Sequence, residues 1–262
     1  DVRGEPVTSA PYFEEAVLVT TFVYGVPQPG AVAPEPSEEA LAYGALVLGV
    51  RDYIGKNGFP GALIGLSGGV DSALTLAIAV DALGADRVRV LMMPSQFNLP
   101  ISLDDALAMA QTLGVRHDVV PIKPVLDAFL SALATEFRGL PWDTTEENLQ
   151  ARIRGTLLMA LSNKYGSIVL TTGNKSETAV GYSTLYGDLA GGFAVIKDIL
   201  KTLVYRLCRY RNAIAPVIPE RILTRAPSAE LKADQTDQDT LPPYDVLYDI
   251  IRRYMEDDQP IA

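Results

Sequence analysis

Leu63-Ile-Gly-Leu-Ser-Gly-Gly-Val-Asp-Ser72 is the stretch that decides the fold. Ala62 to Leu66, apolar but for one glycine, predicts a short buried strand. Ser67, Gly68 and Gly69 follow as a tight turn. Ser72 then opens an apolar run, Ala73 to Leu83, long enough for a helix, which Gly84 stops. A strand, a glycine turn and a helix together aim backbone N–H groups and the positive helix end at one spot, where an anion binds. Glycine is expected there because a side chain would hold a phosphate off the backbone. Ser67 and Ser72 add hydroxyl donors, whereas Asp71 puts an acid beside the anion. That makes sense when a divalent cation lies between carboxylate and phosphate. The stretch reads as a nucleotide site with its metal ligand built in. A glycine-rich turn that merely joins strand to helix is the plainer alternative.

The flanking sequence continues the pattern. Ser37-Glu-Glu offers a cap and an acidic first turn to a helix through Leu41 to Ile54, and Lys56 to Pro60 turns the chain into the first strand. Downstream, strands are expected over Val88 to Met93, Asp118 to Ile122 and Ser167 to Thr172. Helices are expected over Leu103 to Leu113, Pro124 to Phe137 and Glu146 to Tyr165. This alternation predicts right-handed βαβ units and an α/β fold, a parallel sheet with helices on both faces. Ligands of such sheets bind beyond the carboxyl ends of the strands. Lys175 and Glu177 follow another strand tip and are expected at the same crevice. Asp188 lies among Gly187, Gly191 and Gly192, in a loop that is either a plain turn or a moving binding loop.

Residues 1–25 do not read as the start of a domain. Phe13 to Phe22 looks like one strand without a neighbour, and Pro27, Pro29, Pro34 and Pro36 make a linker behind it. Two segments are therefore expected, 1–36 and 37–262. Composition is ordinary for a globular protein, with 48% hydrophobic and 21% charged residues. No apolar run reaches the roughly 18 residues of a membrane span, and no signal peptide opens the chain. The lone Cys208 rules out an internal disulfide, fits a reducing, cytoplasmic compartment and sits in a helical apolar pattern expected in the core. A net charge of −10 argues against a nucleic-acid partner. Charge is uneven, however: residues 151–211 carry nine Lys or Arg against three acids, and 212–262 carry five against ten. The basic segment suits either an anionic small molecule or a solvated arginine face. His117 has no second histidine with which to bind metal and is expected at the surface.

Neither the G-x-x-x-x-G-K-[ST] phosphate loop nor the G-x-G-x-x-G fingerprint is present. Instead, Ser67-Gly-Gly-Val-Asp-Ser72 resembles the S-G-G-x-D-S loop of the N-type ATP pyrophosphatases, which adenylylate a substrate oxygen and release pyrophosphate. Within that superfamily the chain resembles the NAD synthetases, over residues 37 to about 256. The residues concerned are Thr171-Thr-Gly-Asn-Lys-Ser-Glu177, Tyr186-Gly-Asp188, Lys197-Asp-Ile-Leu-Lys-Thr202, Asn148 to Arg154, Arg225 to Leu231 and Asp239 to Asp245. GMP synthetases and asparagine synthetases share the loop but not this later set.

The resemblance implies a Rossmann-like sheet of the adenine nucleotide alpha-hydrolase kind, and ATP-dependent amidation of nicotinate adenine dinucleotide by ammonia. Gly65, Leu66, Ser67, Gly68, Gly69, Val70, Asp71 and Ser72 would hold ATP, with Thr172 and Ser228. Lys201 would neutralise the α-phosphate, and Asp71 and Glu177 would bind Mg²⁺. Asn148, Arg152, Glu177, Tyr182, Ser183, Thr184 and Leu185 would meet the dinucleotide. Asp188 would take a proton from ammonia, although capping a turn suits it equally. Arg152 and Arg154 would also be unremarkable as solvent charges, and aromatic packing is the plainer role for Trp142 and Tyr182. The resemblance further implies a homo-oligomer, commonly a dimer, and makes residues 1–36 the closing strand and tether of a preceding nitrilase-like glutaminase domain. Two other readings stay open: a different amide-forming ligase of the GMP synthetase kind, and a non-catalytic adenine-nucleotide-binding module.

Overall fold

The structure is a computed structural model describing residues 1–260. Helix α1, Glu38–Lys56, begins as expected: the Ser37 hydroxyl accepts from the Ala40 N–H at 3.2 Å, and Glu38 and Glu39 fill the first turn. Strand β3, Ala62–Gly65, then enters the middle of a five-stranded sheet. It pairs in parallel with β4, Val88–Met92, on one side and with β6, Ile168–Thr171, on the other, so that Ile64 lies between Val90 and Leu170. β5, Arg116–Val119, and β7, Phe193–Ala194, form the parallel edges. The chain runs outward from β3 to β5 and then crosses to the far side of β3. The change of direction falls between β3 and β6, where open α/β sheets hold their ligands.

Helix α2, Val70–Leu83, is buried on nearly every face for its first ten residues. It packs between α1 and α7, Lys201–Ile214, over one side of the sheet. Arg211 of α7 grips Asp81 of α2 with two nitrogens, at 2.6 and 2.9 Å, and the Tyr43 hydroxyl of α1 donates to the same carboxylate at 2.7 Å. Three helices are thereby tied at one half-buried carboxylate. Helix α3, Pro100–Thr112, adds Met109 and Ala110 to this core. On the opposite face α4, Lys123–Ala132, and α5, Thr144–Tyr165, bury Ile122, Leu126 and Ile153. Short helices α6, Lys175–Ala179, and α8, Glu220–Thr224, and the terminal α9, Tyr244–Ile251, complete the order. Cys208 is fully buried, as its helical pattern predicts.

Four expectations need correction. Phe13 to Phe22 forms no strand beyond Phe22 itself: Phe22–Val23 (β1) and Val26–Pro27 (β2) make a two-residue hairpin. Val17 and Val19 stand 94% exposed, because no sheet edge reaches them to supply a ladder. β5 starts two residues early, set by its pairing of Arg89 with Arg116 and by the Arg89–Asp118 contact at 2.7 Å. α4 ends at Ala132, and the chain continues in turns toward Gly139. His117 is half-buried on the β5 edge, not at the open surface. The last two residues of the expected second segment, Ile261 and Ala262, lie outside the described residues.

Candidate active site

A cleft of about 530 Å³ opens at the carboxyl ends of β3, β4 and β6, within the size range of small-molecule sites. Its floor is the turn from β3 into α2. The Ser67 and Ser72 hydroxyls lie 3.1 Å apart, Ser67 Oγ accepts from the Gly69 N–H at 3.2 Å, and Ser72 Oγ donates to the Gly69 carbonyl at 3.0 Å. No side chain caps the N-terminus of α2, which leaves its first N–H groups for an anion. The glycine at 68 is required for a reason beyond phosphate access. Its φ is +82°, and a Cβ there would meet the Ser102 carbonyl oxygen at 2.2 Å. Helix α3 thus presses on the turn from behind.

Asp71 and Glu177 come from two different strand tips and meet at one ammonium. Lys201 Nζ lies 2.5 Å from Asp71 Oδ2 and 3.2 Å from Glu177 Oε1. Lys201 is only 2% exposed and opens α7, where the helix dipole opposes a positive charge. Burial works against the ammonium, yet Asp71 and Glu177 outweigh it and hold the Lys201 pKa well above the ordinary lysine value. Burial, with the Asp71 charge beside it, pushes the Glu177 carboxyl up. Asn174, fully buried, joins both acids: its side-chain amide donates to Asp71 Oδ1 at 2.9 Å, and its Oδ1 accepts from the Glu177 N–H at 3.0 Å. Glu177 returns a contact to the Asn174 N–H, so the box that starts α6 also aims an acid into the cleft.

The cleft wall includes Gly65, Leu66, Val70, Thr172, Ser228, Asn148, Tyr182, Ser183 and Thr184 beside the floor residues. Asn148 Oδ1 accepts from the Thr184 hydroxyl at 2.8 Å, and Tyr182 donates to Asp237 across 3.4 Å. Asp188 also faces the cleft, and its Oδ1 accepts from the Thr184 N–H at 2.7 Å, the turn-capping contact weighed for it. Burial raises its carboxyl. Arg152 and Leu185 do not line this cleft: the Arg152 Nε donates to the Leu185 carbonyl at 3.3 Å on its outer side. Arg154, on another face of α5, stands half-buried in the wall, and its Nε donates to the Met93 carbonyl at 3.1 Å. Burial draws its pKa down to about 10, and it keeps its charge at neutral pH. Trp142 packs edge-on against Phe97, centroids 5.9 Å apart. Gly187 sits against Ala151, where a Cβ would stand 2.9 Å from the alanine methyl, so this part of the glycine-rich loop is packed to α5.

Sequence reasoning missed Asn174, Arg225, Glu230 and Asp237. Arg225 Nη2 donates to the Gly68 carbonyl at 3.2 Å and Nη1 to the Ser102 hydroxyl at 2.7 Å. Glu230 accepts from Ser102 at 2.5 Å and from Asn98 at 2.7 Å. The 225–235 segment is thereby stitched to the phosphate turn. The only advance signal was that Asn174, Arg225 and Glu230 fall inside motifs already singled out.

A family model described as NAD synthase matches residues 42–261. The chain belongs to the NAD synthase family. It is 52% identical over 260 residues to a protein named glutamine-dependent NAD(+) synthetase from Acinetobacter baylyi, covering 98% of this chain and 48% of that one. A namesake from Aquifex aeolicus is 51% identical over 228 residues, 87% of this chain and 40% of the relative. The chain thus spans about half the length of the curated relatives it matches. Among solved structures, glutamine-dependent NAD+ synthetase from Acinetobacter baumannii in complex with ADP superposes with a TM-score of 0.83 at 48% identity, over 97% of this chain and 47% of that one. NMN synthetase from Francisella tularensis gives 0.76 at 30% identity, over 87% and 89%. In this NAD synthase-family chain no helix among the described residues is long and apolar enough to cross a membrane.

Proposed function

We propose that the chain carries out the ATP-dependent amidation of nicotinate adenine dinucleotide to NAD. The observation that carries the reading is the meeting of Asp71 and Glu177 at Lys201, beside an uncapped helix N-terminus. A pyridine carboxylate oxygen attacks the α-phosphorus of ATP, the bond to the bridging oxygen breaks, and pyrophosphate leaves. Ammonia then attacks the acyl carbon of the adenylate, the acyl–oxygen bond breaks, and AMP leaves with the new amide behind it. Adenylylation is needed because a free carboxylate offers no leaving group. Ser67, Gly68, Gly69 and Ser72 hold the departing phosphates, and Lys201 meets the charge that builds on the α-phosphate in the transition state. Asp188, with its raised affinity for protons, accepts the proton that ammonia sheds.

The donor set fits Mg²⁺: two hard carboxylates, Asp71 and Glu177, face the cleft beside the glycine turn. No group of three or more His, Cys, Asp and Glu side chains able to hold a metal occurs among the described residues, so phosphate oxygens and water would complete the shell. Held by Asp71 and Glu177, the ion would neutralise leaving-group charge. The same reading takes residues 1–36 as the tether from a preceding glutaminase domain, places the protein in the cytoplasm and makes it a homo-oligomer.

The test incubates the chain with ATP, Mg²⁺ and ammonium and one acid at a time, and measures AMP together with the amide. Nicotinate adenine dinucleotide is expected to give both. Turnover only with nicotinate mononucleotide would move the activity to that of the Francisella neighbour, and turnover only with xanthosine monophosphate to a GMP synthetase-like ligase. ATP binding without AMP from any acid would leave a nucleotide-binding module.

A further inference from the structure

The Lys201 ammonium has a third neighbour, on an element that the cleft does not include. The Tyr244 ring centroid lies 5.3 Å from Lys201 Nζ, inside the range of a cation–π contact. Tyr244 opens α9 behind Pro242 and Pro243, and its ring packs with Leu200, Leu247 and Ile251. Its hydroxyl donates to Asp237 Oδ2 at 2.7 Å, and Asp237 is 3% exposed. Tyr244 itself lines none of the cleft, whereas Lys201 and Asp237 do.

We propose that Tyr244 is a positioning residue for Lys201 in the adenylylation step, a role that rests on the function proposed above. An ammonium has three N–H groups, and Asp71 and Glu177 engage it at 2.5 and 3.2 Å. A third acid behind the lysine would draw Nζ away from the cleft and compete with the phosphate for its remaining donor. A basic group would repel it. An aromatic face attracts the cation while offering no lone pair for which the phosphate must compete. Apolar surroundings also exclude water from the rear, so that the charge acts at full strength toward the cleft. The two prolines fix the entry to α9, and the Asp237 contact anchors the far end of the ring. Lys201 is thereby held at one distance from the point where the α-phosphate gains charge.

The experiment compares wild type, Tyr244→Phe and Tyr244→Leu in the full chain, with two readouts. In the first, pyrophosphate release is followed as a function of ATP. Tyr244→Leu is expected to lower kcat about tenfold while leaving the KM for ATP within about twofold, and Tyr244→Phe, which keeps the ring, to stay within about threefold of wild type. In the second, lysine labelled with ¹⁵N at Nζ gives the Lys201 ammonium resonance, assigned by its loss in Lys201→Arg. Ring-face shielding should move it upfield in wild type and Tyr244→Phe but not in Tyr244→Leu. Should Tyr244→Leu fail to fold, Tyr244→Met fills the same space without a ring and replaces it. An unshifted wild-type resonance, or a folded Tyr244→Leu with wild-type kcat, overturns the role of Tyr244. If wild type releases no pyrophosphate with any acid, the proposed function fails instead, and the resonance alone decides whether Tyr244 positions the lysine.

Discussion

Lys201 keeps two carboxylates together, and removing it leaves Asp71 and Glu177 facing each other with side chains only 17% and 18% exposed. Breaking such a buried arrangement costs about 3 kcal/mol. Lys201→Ala is therefore expected to melt well below wild type in EDTA and to recover part of the loss in millimolar Mg²⁺, more than wild type gains from the same addition. Equal melting of both proteins in EDTA would show that the ammonium does not hold the acids. Asp188 carries a pH dependence of its own. Burial raises its carboxyl, so the native chain keeps a proton that the unfolded chain has already lost. The native state then binds more protons than the unfolded one, and stability falls as pH climbs from about 4 through the raised native pKa. Asp188→Asn keeps an oxygen for the Thr184 N–H and should remove that slope. Urea melts of the two proteins at pH 4 to 7 measure it, and parallel curves would contradict the assignment.

At the scale of elements, the turn from β3 into α2 is fixed by α3 and by the 225–235 segment together. Gly68→Ala would strain a φ of +82° and drive a methyl into the Ser102 carbonyl. Strain of this kind costs about 1–3 kcal/mol, and because the loop must shift to relieve it, ATP affinity should fall more than stability does. Calorimetric titration of ATP beside a thermal melt separates the two, and unchanged ATP affinity would show that the turn tolerates the side chain. The same turn marks what the sequence could and could not disclose. The strand, the glycines and the α2 helix were legible because their signals are local: an apolar run, a turn residue, a stop at Gly84. The α6 cap was written in Asn174 and Glu177, three residues apart, yet the reach of Asn174 to Asp71 was not. Nor was the grip of Arg225 on Gly68, since it depends on how α3 and the later loop pack. β5 was misplaced by two residues because strand ends are set by register with β4, which no local pattern records. Arg152 and Arg154 differ only in the direction they leave α5, and it is Arg154 that enters the wall.

At the scale of the whole molecule, the nitrogen source is the open question that the fold addresses. The curated relatives named as glutamine-dependent are about twice as long as this chain. Glutaminases of the nitrilase-like kind need a reactive thiolate, and Cys208 cannot supply one. It is fully buried, and that burial pushes its thiol up. The chain as given should therefore make NAD from ammonium salts and not from glutamine in ammonia-free buffer. Native protein at pH 8 should also leave Cys208 unlabelled by iodoacetamide until denaturant is added. Glutamine-supported turnover that Cys208→Ser abolishes would reverse this conclusion.

The polar contacts of the cleft join distant parts of the chain: Asp71 to Asn174 across 103 residues, Ser102 to Glu230 across 128, Asp71 to Lys201 across 130 and Gly68 to Arg225 across 157. Contacts of such separation form late, after nearer ones have closed most of the loop between them. During synthesis, then, the turn from β3 into α2 leaves the ribosome more than a hundred residues before Asn174, Lys201 and Arg225. A half-made chain carries the glycine turn without Asn174, Lys201 and Arg225, the side chains that meet it in the finished cleft.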